Sequence, residues 1–196
     1  MLIQYRRFLP HIHPPGAALF LTMRLAGSLP QAVVDELLET PLDYRQQFVH
    51  FEAQLEAGGC GPIWLKQPAV AELVLSGLQR QHANGHYELL AACAMPNHLH
   101  LVLRLPDTAD ESFFRVMQRF KSATAIQANR LLGRSGRFWQ HETFDHAIRE
   151  SQPDALLKAI RYTAYNPVKA RFCPHWQQWP GTFVAAEWHE LLEPAP

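Results

Sequence analysis

Two imidazoles, His98 and His100, sit two residues apart in the run Ala94-Met-Pro-Asn-His-Leu-His-Leu-Val-Leu-Arg-Leu105. Read as a β-strand, that run puts His98, His100, Val102 and Arg104 on one face and Leu99, Leu101, Leu103 and Leu105 on the other. A strand holds side chains rigidly, so the pair is placed to share a divalent cation. The spacing alone decides little: 11 His in 196 residues yield about 0.6 such pairs by composition. The chain carries a second pair, His11-Ile12-His13, ahead of Pro14-Pro15 and outside any apolar strand. A partner elsewhere in the chain has to single out the first pair.

Tyr162 and Asn166 are that partner. Four residues apart on a helix, they share one face, one turn above the other. Laid across the sheet, such a helix would bring an amide oxygen and a phenol to the imidazoles. Two ring nitrogens and an Asn166 carbonyl make a three-ligand site with open positions, suited to Mg²⁺ or Mn²⁺ more than to zinc, since no thiolate takes part. A phosphate oxygen would fill a vacancy, and Tyr162 would attack the phosphorus to leave a phosphotyrosine bond. A phenol titrates near ~10 and needs the metal or a neighbouring cation to act at neutral pH. Arg161 and Lys169 are the candidate cations. Tyr165 is the rival phenol, read as a packing residue, and Asn166 before Pro167 also reads as a simple helix end.

The elements that must position these groups can be taken in order. Residues 17–25 read as a first buried strand after Pro14-Pro-Gly16. Residues 30–38 and 44–55 read as two short helices, the second broken by Gly58-Gly-Cys-Gly-Pro62. Pro68 starts a helix with Val70, Leu73, Val74 and Leu78 on its apolar face, ending near Asn84-Gly85. Residues 87–94 form a strand that Met95-Pro-Asn97 turns into the histidine strand as an antiparallel hairpin. Residues 112–132 form a helix with Phe113, Val116, Met117, Phe120 and Ala123 at steps of three and four. Residues 144–149 read as a fourth strand. Ser151 is a cap candidate for a last helix that Pro167 should stop at Asn166. The tail after 174 reads as loop and short turns.

This order predicts an α+β fold: a ferredoxin-like βαββαβ antiparallel sheet with helices on one face and an extra C-terminal helix. The histidine strand is the third of the four and pairs with the first at the centre, its histidine face left open. One domain over 1–196 is expected, with a helical acidic insert at about 28–67 and an irregular tail after 174.

Composition limits the function classes. The chain is 47% apolar with no long charge run, and no 18-residue apolar window calls for a membrane helix. The first residues lack the apolar run of a signal peptide. Cys60, Cys93 and Cys173 are odd in number and widely spaced, against a disulfide framework or a thiolate zinc site. A cytoplasmic protein with reduced thiols is the expectation. Net charge is zero, yet residues 35–56 hold six acids and one base, whereas residues 115–171 hold eleven Lys or Arg against four acids. That basic half is compatible with a phosphate-binding face, and an ordinary uneven surface reads the same way.

The chain resembles the single-tyrosine HUH transposases, and among them the REP-associated tyrosine transposases. The pieces that carry the likeness are Met95-Pro-Asn-His-Leu-His-Leu101, Met117-Gln-Arg-Phe-Lys-Ser122, Asn129-Arg-Leu-Leu132, Gly136-Arg-Phe-Trp-Gln140, Phe144-Asp-His-Ala-Ile-Arg149 and Arg161-Tyr-Thr-Ala-Tyr-Asn-Pro-Val-Lys-Ala170. They keep their order over roughly residues 87–172, and more loosely from residue 5. The resemblance implies His98 and His100 as the paired metal ligands, Asn166 in the third ligand position and Tyr162 as nucleophile. It implies metal-assisted cleavage and rejoining of single-stranded or hairpin DNA, REP-like palindromes near its own gene among them, through a 5′-phosphotyrosine and a free 3′-OH. A bacterial monomer or homodimer fits that reading. Arg115, Arg119, Lys121, Arg137, Arg149, Arg161 and Lys169 are the candidate DNA contacts. The long acidic insert and the neutral net charge depart from the pattern. Two other classes compete: a ferredoxin-like nucleic-acid-binding protein without chemistry, and a metal-dependent phosphoesterase that uses water and can dispense with Tyr162.

Overall fold

The computed structural model describes residues 3–6, 10–40, 44–57, 61–108, 110–149, 151–152 and 154–193. Cys60 and the Gly58–Gly59 break fall outside them.

Five strands form one antiparallel sheet: β3 (Ala18–Leu25), β4 (Glu88–Ala94), β5 (His98–Arg104), β6 (Trp139–Ala147) and β7 (Thr182–Val184), in the order β6-β3-β5-β4-β7. The first and third strands of the sequence reading, β3 and β5, are therefore the central pair. A separate hairpin of β1 (Ile3–Arg6) and β2 (Pro10–His13) carries the backbone of the second His-x-His. That hairpin is a two-stranded sheet of its own, so His11 and His13 do lie in a strand, but not in the five-stranded sheet.

Alternation divides the core in two. Leu19, Leu21 and Met23 of β3 and Leu99, Leu101 and Leu103 of β5 point to one face, under α3 (Pro68–Ala83) and α4 (Phe113–Leu131). The opposite face holds Phe20, Val102, His98 and His100. A bulge between Leu89 and Ala91 shifts the register of β4 and lets both Leu90 and Ala91 join that second face.

The second face is not open. Helix α5 (Ala155–Lys169) lies over it with Ile160 and Ala164 inward, and α2 (Tyr44–Ala57) closes it with Phe51 and Leu55 against Phe144. His98 and His100 are buried as a result. The physical reason lies in the insert: Phe48, Phe51 and Leu55 recur at steps of three and four, an apolar stripe that must find a partner. Helix α1 (Gln31–Glu39) precedes it.

Two local readings change. Helix α5 runs through Pro167 to Lys169 instead of stopping at Asn166. Pro167 forfeits one backbone donor, but it stands in the last turn, where Phe172 N–H reaches the Pro167 carbonyl at 2.9 Å and Arg171 N–H reaches that of Val168 at 2.9 Å. With Arg171 at φ 61, this is a Schellman closure, which recovers carbonyls that the helix end would strand. The tail is not wholly irregular either, since β7 adds an edge strand to β4. Three residues are too few for a periodic signal. Ser151 lies ahead of the helix start and Asp154 takes the cap position, with no side-chain cap bond. Among the described residues, no helix is long and apolar enough to cross a membrane.

Candidate metal centre and nucleophile

The strand register builds the centre. Thr22 lies directly across from His100 and Arg24 across from His98, so their side chains share the histidine face. His100 Nδ1 meets Thr22 Oγ1 at 3.1 Å. His98 Nδ1 meets Asn97 Oδ1 at 2.7 Å, while Asn97 Nδ2 donates to the Leu55 carbonyl of α2 at 3.0 Å. That second bond fixes the amide orientation, so His98 Nδ1 must carry its proton and donate it. The Thr22 hydroxyl also stabilises the Glu52 carboxylate, which makes it a donor there and an acceptor from His100 Nδ1.

Both Nε2 atoms are then bare lone pairs, and they face each other at 2.9 Å. Glu52 Oε2 comes within 3.2 Å of His100 Nε2. Asn166 presents its amide to the same nitrogen at 3.2 Å, and its Oδ1, like Glu52 Oε1, is buried without a hydrogen-bond partner. Turning that amide over would aim Oδ1 at the imidazoles. Electron-rich atoms packed this closely repel unless a cation lies among them. The donor set of two imidazoles, one carboxylate and one amide therefore fits a divalent cation, with the ligand atoms of Glu52, His98 and His100 all within 4.8 Å of one another. Glu52 was missed in the sequence because it comes from the insert, 46 to 48 residues away with no motif; Glu52 and Glu56, one turn apart in an apolar-striped helix, were the available signal.

Tyr162 stands beside this cluster. Its ring centroid lies 5.5 Å from that of His100 and 5.8 Å from that of Phe20. Its hydroxyl donates to Glu52 Oε2 at 3.0 Å and to Glu56 Oε1 at 3.4 Å. Burial, and next the Glu52 charge, push the phenol above its ordinary range. Lys169 is the cation at hand: Nζ binds Glu56 at 2.8 Å and lies 5.8 Å from the Tyr162 ring centroid. Arg161 turns to the Leu191 carbonyl at 2.8 Å instead. Tyr165 donates to the Leu192 carbonyl at 2.8 Å and serves packing.

The basic candidates do not form one surface. Arg115, Arg119 and Lys121 ride on α4, behind the sheet from Tyr162. Arg119 pairs with Glu111, and Lys121 Nζ binds the Gln140 and His141 carbonyls and Thr143 Oγ1. Arg137 and Arg149 are exposed just before and just after β6. Arg24, not foreseen, is a buried cation on the histidine face, 5.8 Å from the Phe51 ring centroid.

Burial, with His100 as a further cause at His98 and Lys169 at His100, holds both imidazoles down at about 3. The unfolded chain takes up those protons near ~6.5, so the two rings stabilise the fold fully above that pH and progressively less as pH falls towards 3. The Glu52 carboxyl, raised chiefly by burial, acts in the opposite sense. With two rings against one carboxyl, the metal-free protein should lose thermal stability between pH 7 and 5. A Tm that is flat or rises over that interval contradicts neutral, buried rings.

A five-stranded antiparallel sheet, paired imidazoles on its central strand and a tyrosine–asparagine helix laid across them form an α+β fold with a phenol beside a metal-shaped cluster. In fold the chain is similar to a REP-associated tyrosine transposase, and in part of its sequence to a protein assigned to that family. No protein-family model matches it. A chain of Haemophilus influenzae assigned to the REP-associated tyrosine transposases is 29% identical over 102 residues, 48% of this chain and 57% of that protein. The match thus spans little more than half of that relative's length. A solved REP-associated tyrosine transposase bound to a REP hairpin superposes with a TM-score of 0.57 at 18% identity, over 97% of this chain and 87% of the other. At that identity the likeness is one of fold.

Proposed function

We propose that this protein cleaves and rejoins single-stranded or hairpin DNA, with Tyr162 as nucleophile beside a divalent cation held by His98, His100 and Asn166 and bordered by Glu52. The observation that carries the reading is the convergence of the Tyr162 hydroxyl on the same Glu52 oxygen that approaches the His100 nitrogen. The hairpin DNA of the solved fold neighbour is the reason to name that substrate.

When bound, Mg²⁺ or Mn²⁺ would supply Lewis-acid polarisation of a phosphate oxygen. The chain does the rest. The His98 and His100 rings are locked by Asn97 and Thr22, so their two Nε2 atoms need no reorganisation. The Tyr162 oxygen forms a bond to phosphorus as the bond from phosphorus to the 3′ oxygen breaks, and the phenol proton leaves with net delivery to the 3′-OH. Glu52 and Glu56 are the acceptors in reach of that proton. Attack by a 3′-OH on the phosphotyrosine reverses the step and rejoins the strand.

The test is incubation of the protein with hairpin DNA flanking its own gene, read on a denaturing gel. A covalent protein–DNA band that needs Mg²⁺ or Mn²⁺ and vanishes with chelator is the expected result. Cut DNA without that band would indicate water as the nucleophile, and binding without cutting would indicate a module without chemistry. Asn166→Ala should reduce the rate by about tenfold, and extra metal should restore part of it, because water can replace a neutral ligand. Loss that no metal concentration restores would remove Asn166 from the ligand set.

A further inference from the structure

One charged group on the histidine face takes no part in the chemistry above: Arg24, directly across from His98 in the register of β3 and β5. Only 5% of it is exposed, yet among the described residues its guanidinium has neither a hydrogen bond nor an ion pair. What it touches is the Phe51 ring of α2, whose centroid lies 5.8 Å from Cζ. The acids of that helix are engaged elsewhere, Glu52 with His100 and Tyr162, and Glu56 with Lys169.

A buried guanidinium without a partner costs the fold stability, because a full charge and five donors have left water for little return. The contact with Phe51 offsets only part of that cost. Burial alone draws the Arg24 pKa down to about 10, with no carboxylate to hold it up. A methionine would fill much of the same space without the penalty. An arginine in this position finds its use in an anion that arrives from outside. The stem is buried while the head is not sealed, so such an anion can reach it.

The backbone is shaped around this residue. Met23 pairs with Thr143 of β6 and Leu25 pairs with Trp139, so the three residues Gln140–Glu142 stand opposite Arg24 alone. A bulge of this kind re-aims a side chain and interrupts pairing, and it recurs beside active sites. The Arg24 head leans on Phe51, which packs on Phe144 of β6 with centroids 4.1 Å apart. Tyr162 enters from α5 instead, beside His100. The guanidinium therefore stands to one side of the reacting group, where the neighbouring link of a bound strand would run. Its fork of donors matches a phosphate.

We propose that Arg24 binds the backbone phosphate next to the one that Tyr162 attacks, holding the DNA strand from the α2 side of the centre. The proposal rests on the strand-cleavage reading and adds to it a phosphate anchor distinct from the metal ligands and from the basic residues of α4.

The experiment uses the full chain carrying Tyr162→Phe, which binds DNA without cutting it, in the presence of Mn²⁺. Affinity is measured for a hairpin with a single-stranded flank, and for the same DNA with a neutral methylphosphonate at each phosphate around the cleavage site in turn. Methylphosphonate next to the cleaved position should weaken binding by about ten- to a hundredfold, the scale of a charge-assisted hydrogen bond. Adding Arg24→Met should cost as much on the natural strand and remove the response at that one position, with the other positions unaffected. Arg24→Lys keeps the charge without the fork and should recover part of the difference. Without DNA, Arg24→Met should melt at or above its parent, since an unpaired charge leaves the interior while the apolar stem is kept. An Arg24→Met protein that melts well below its parent would make the arginine a structural cation and overturn the anchor. So would a methylphosphonate profile that the substitution leaves unchanged. Either result leaves the Tyr162 reading standing, whereas failure of the parent to bind any of these DNAs overturns both.

Discussion

His98→Ala and His100→Ala should each abolish metal binding and lower the cleavage rate by at least about a thousandfold, the scale of losing several kcal/mol of charge stabilisation. A second readout is independent of activity. A metal that binds only the folded wild type at 100 times its Kd adds about 2.7 kcal/mol, which in a chain of this size raises Tm by roughly 5–10 °C. Neither variant should show that rise. Without metal, the cost of truncation is smaller than burial suggests, because removing one ring also removes the opposition of two lone pairs at 2.9 Å. Both side chains are buried under α2 and α5, so some cavity penalty remains. Calorimetric titration with Mn²⁺ checks the binding, and a variant that binds metal like the wild type would dissolve the centre. His11→Ala/His13→Ala, the same spacing on the β1–β2 hairpin, should behave as wild type.

Tyr162→Phe should eliminate the covalent band while DNA binding persists. The ring keeps its packing against Phe20 and His100 and only the hydroxyl is lost. That hydroxyl donates to a buried carboxylate, so stability should fall by about 1–3 kcal/mol. Tyr165→Phe loses one bond to a tail carbonyl and should cost about 1 kcal/mol with the covalent band intact. The reverse pattern, a dead Tyr165 variant and an active Tyr162 variant, would move the nucleophile three residues along the helix.

The sheet was readable in the chain because its signals are local. Alternation at 98–105 separates the leucine face from the histidine face, and the turn at Met95–Asn97 fixes the hairpin, so the central strand and its two imidazoles follow from a dozen residues. The Tyr162–Asn166 spacing is local too. What covers the centre is not. Glu52 meets His100 only after the insert packs Phe51 and Leu55 onto Phe144, a contact between segments some 90 residues apart that no periodicity encodes. The acidic stretch from 35 to 56 read as a departure from a DNA-binding protein; in the fold, two of its carboxylates engage Tyr162, His100 and Lys169. The Pro167 reading failed for the opposite reason: the local rule is sound, but the Schellman closure at Arg171 and Phe172 supplies bonds that the rule does not count.

The most direct test of the account is peptide mapping of the trapped protein–DNA product. A hairpin substrate is reacted with Mn²⁺, the DNA is digested to the linked nucleotide, and the protein is cleaved after Arg and Lys. The peptide from Tyr162 to Lys169 contains both phenols, so fragment ions must locate the added phosphate. A 5′-phosphonucleotide on Tyr162, absent when chelator replaces metal, is the expected product. The same mass on Tyr165, or cut DNA with the peptide unmodified, would contradict it.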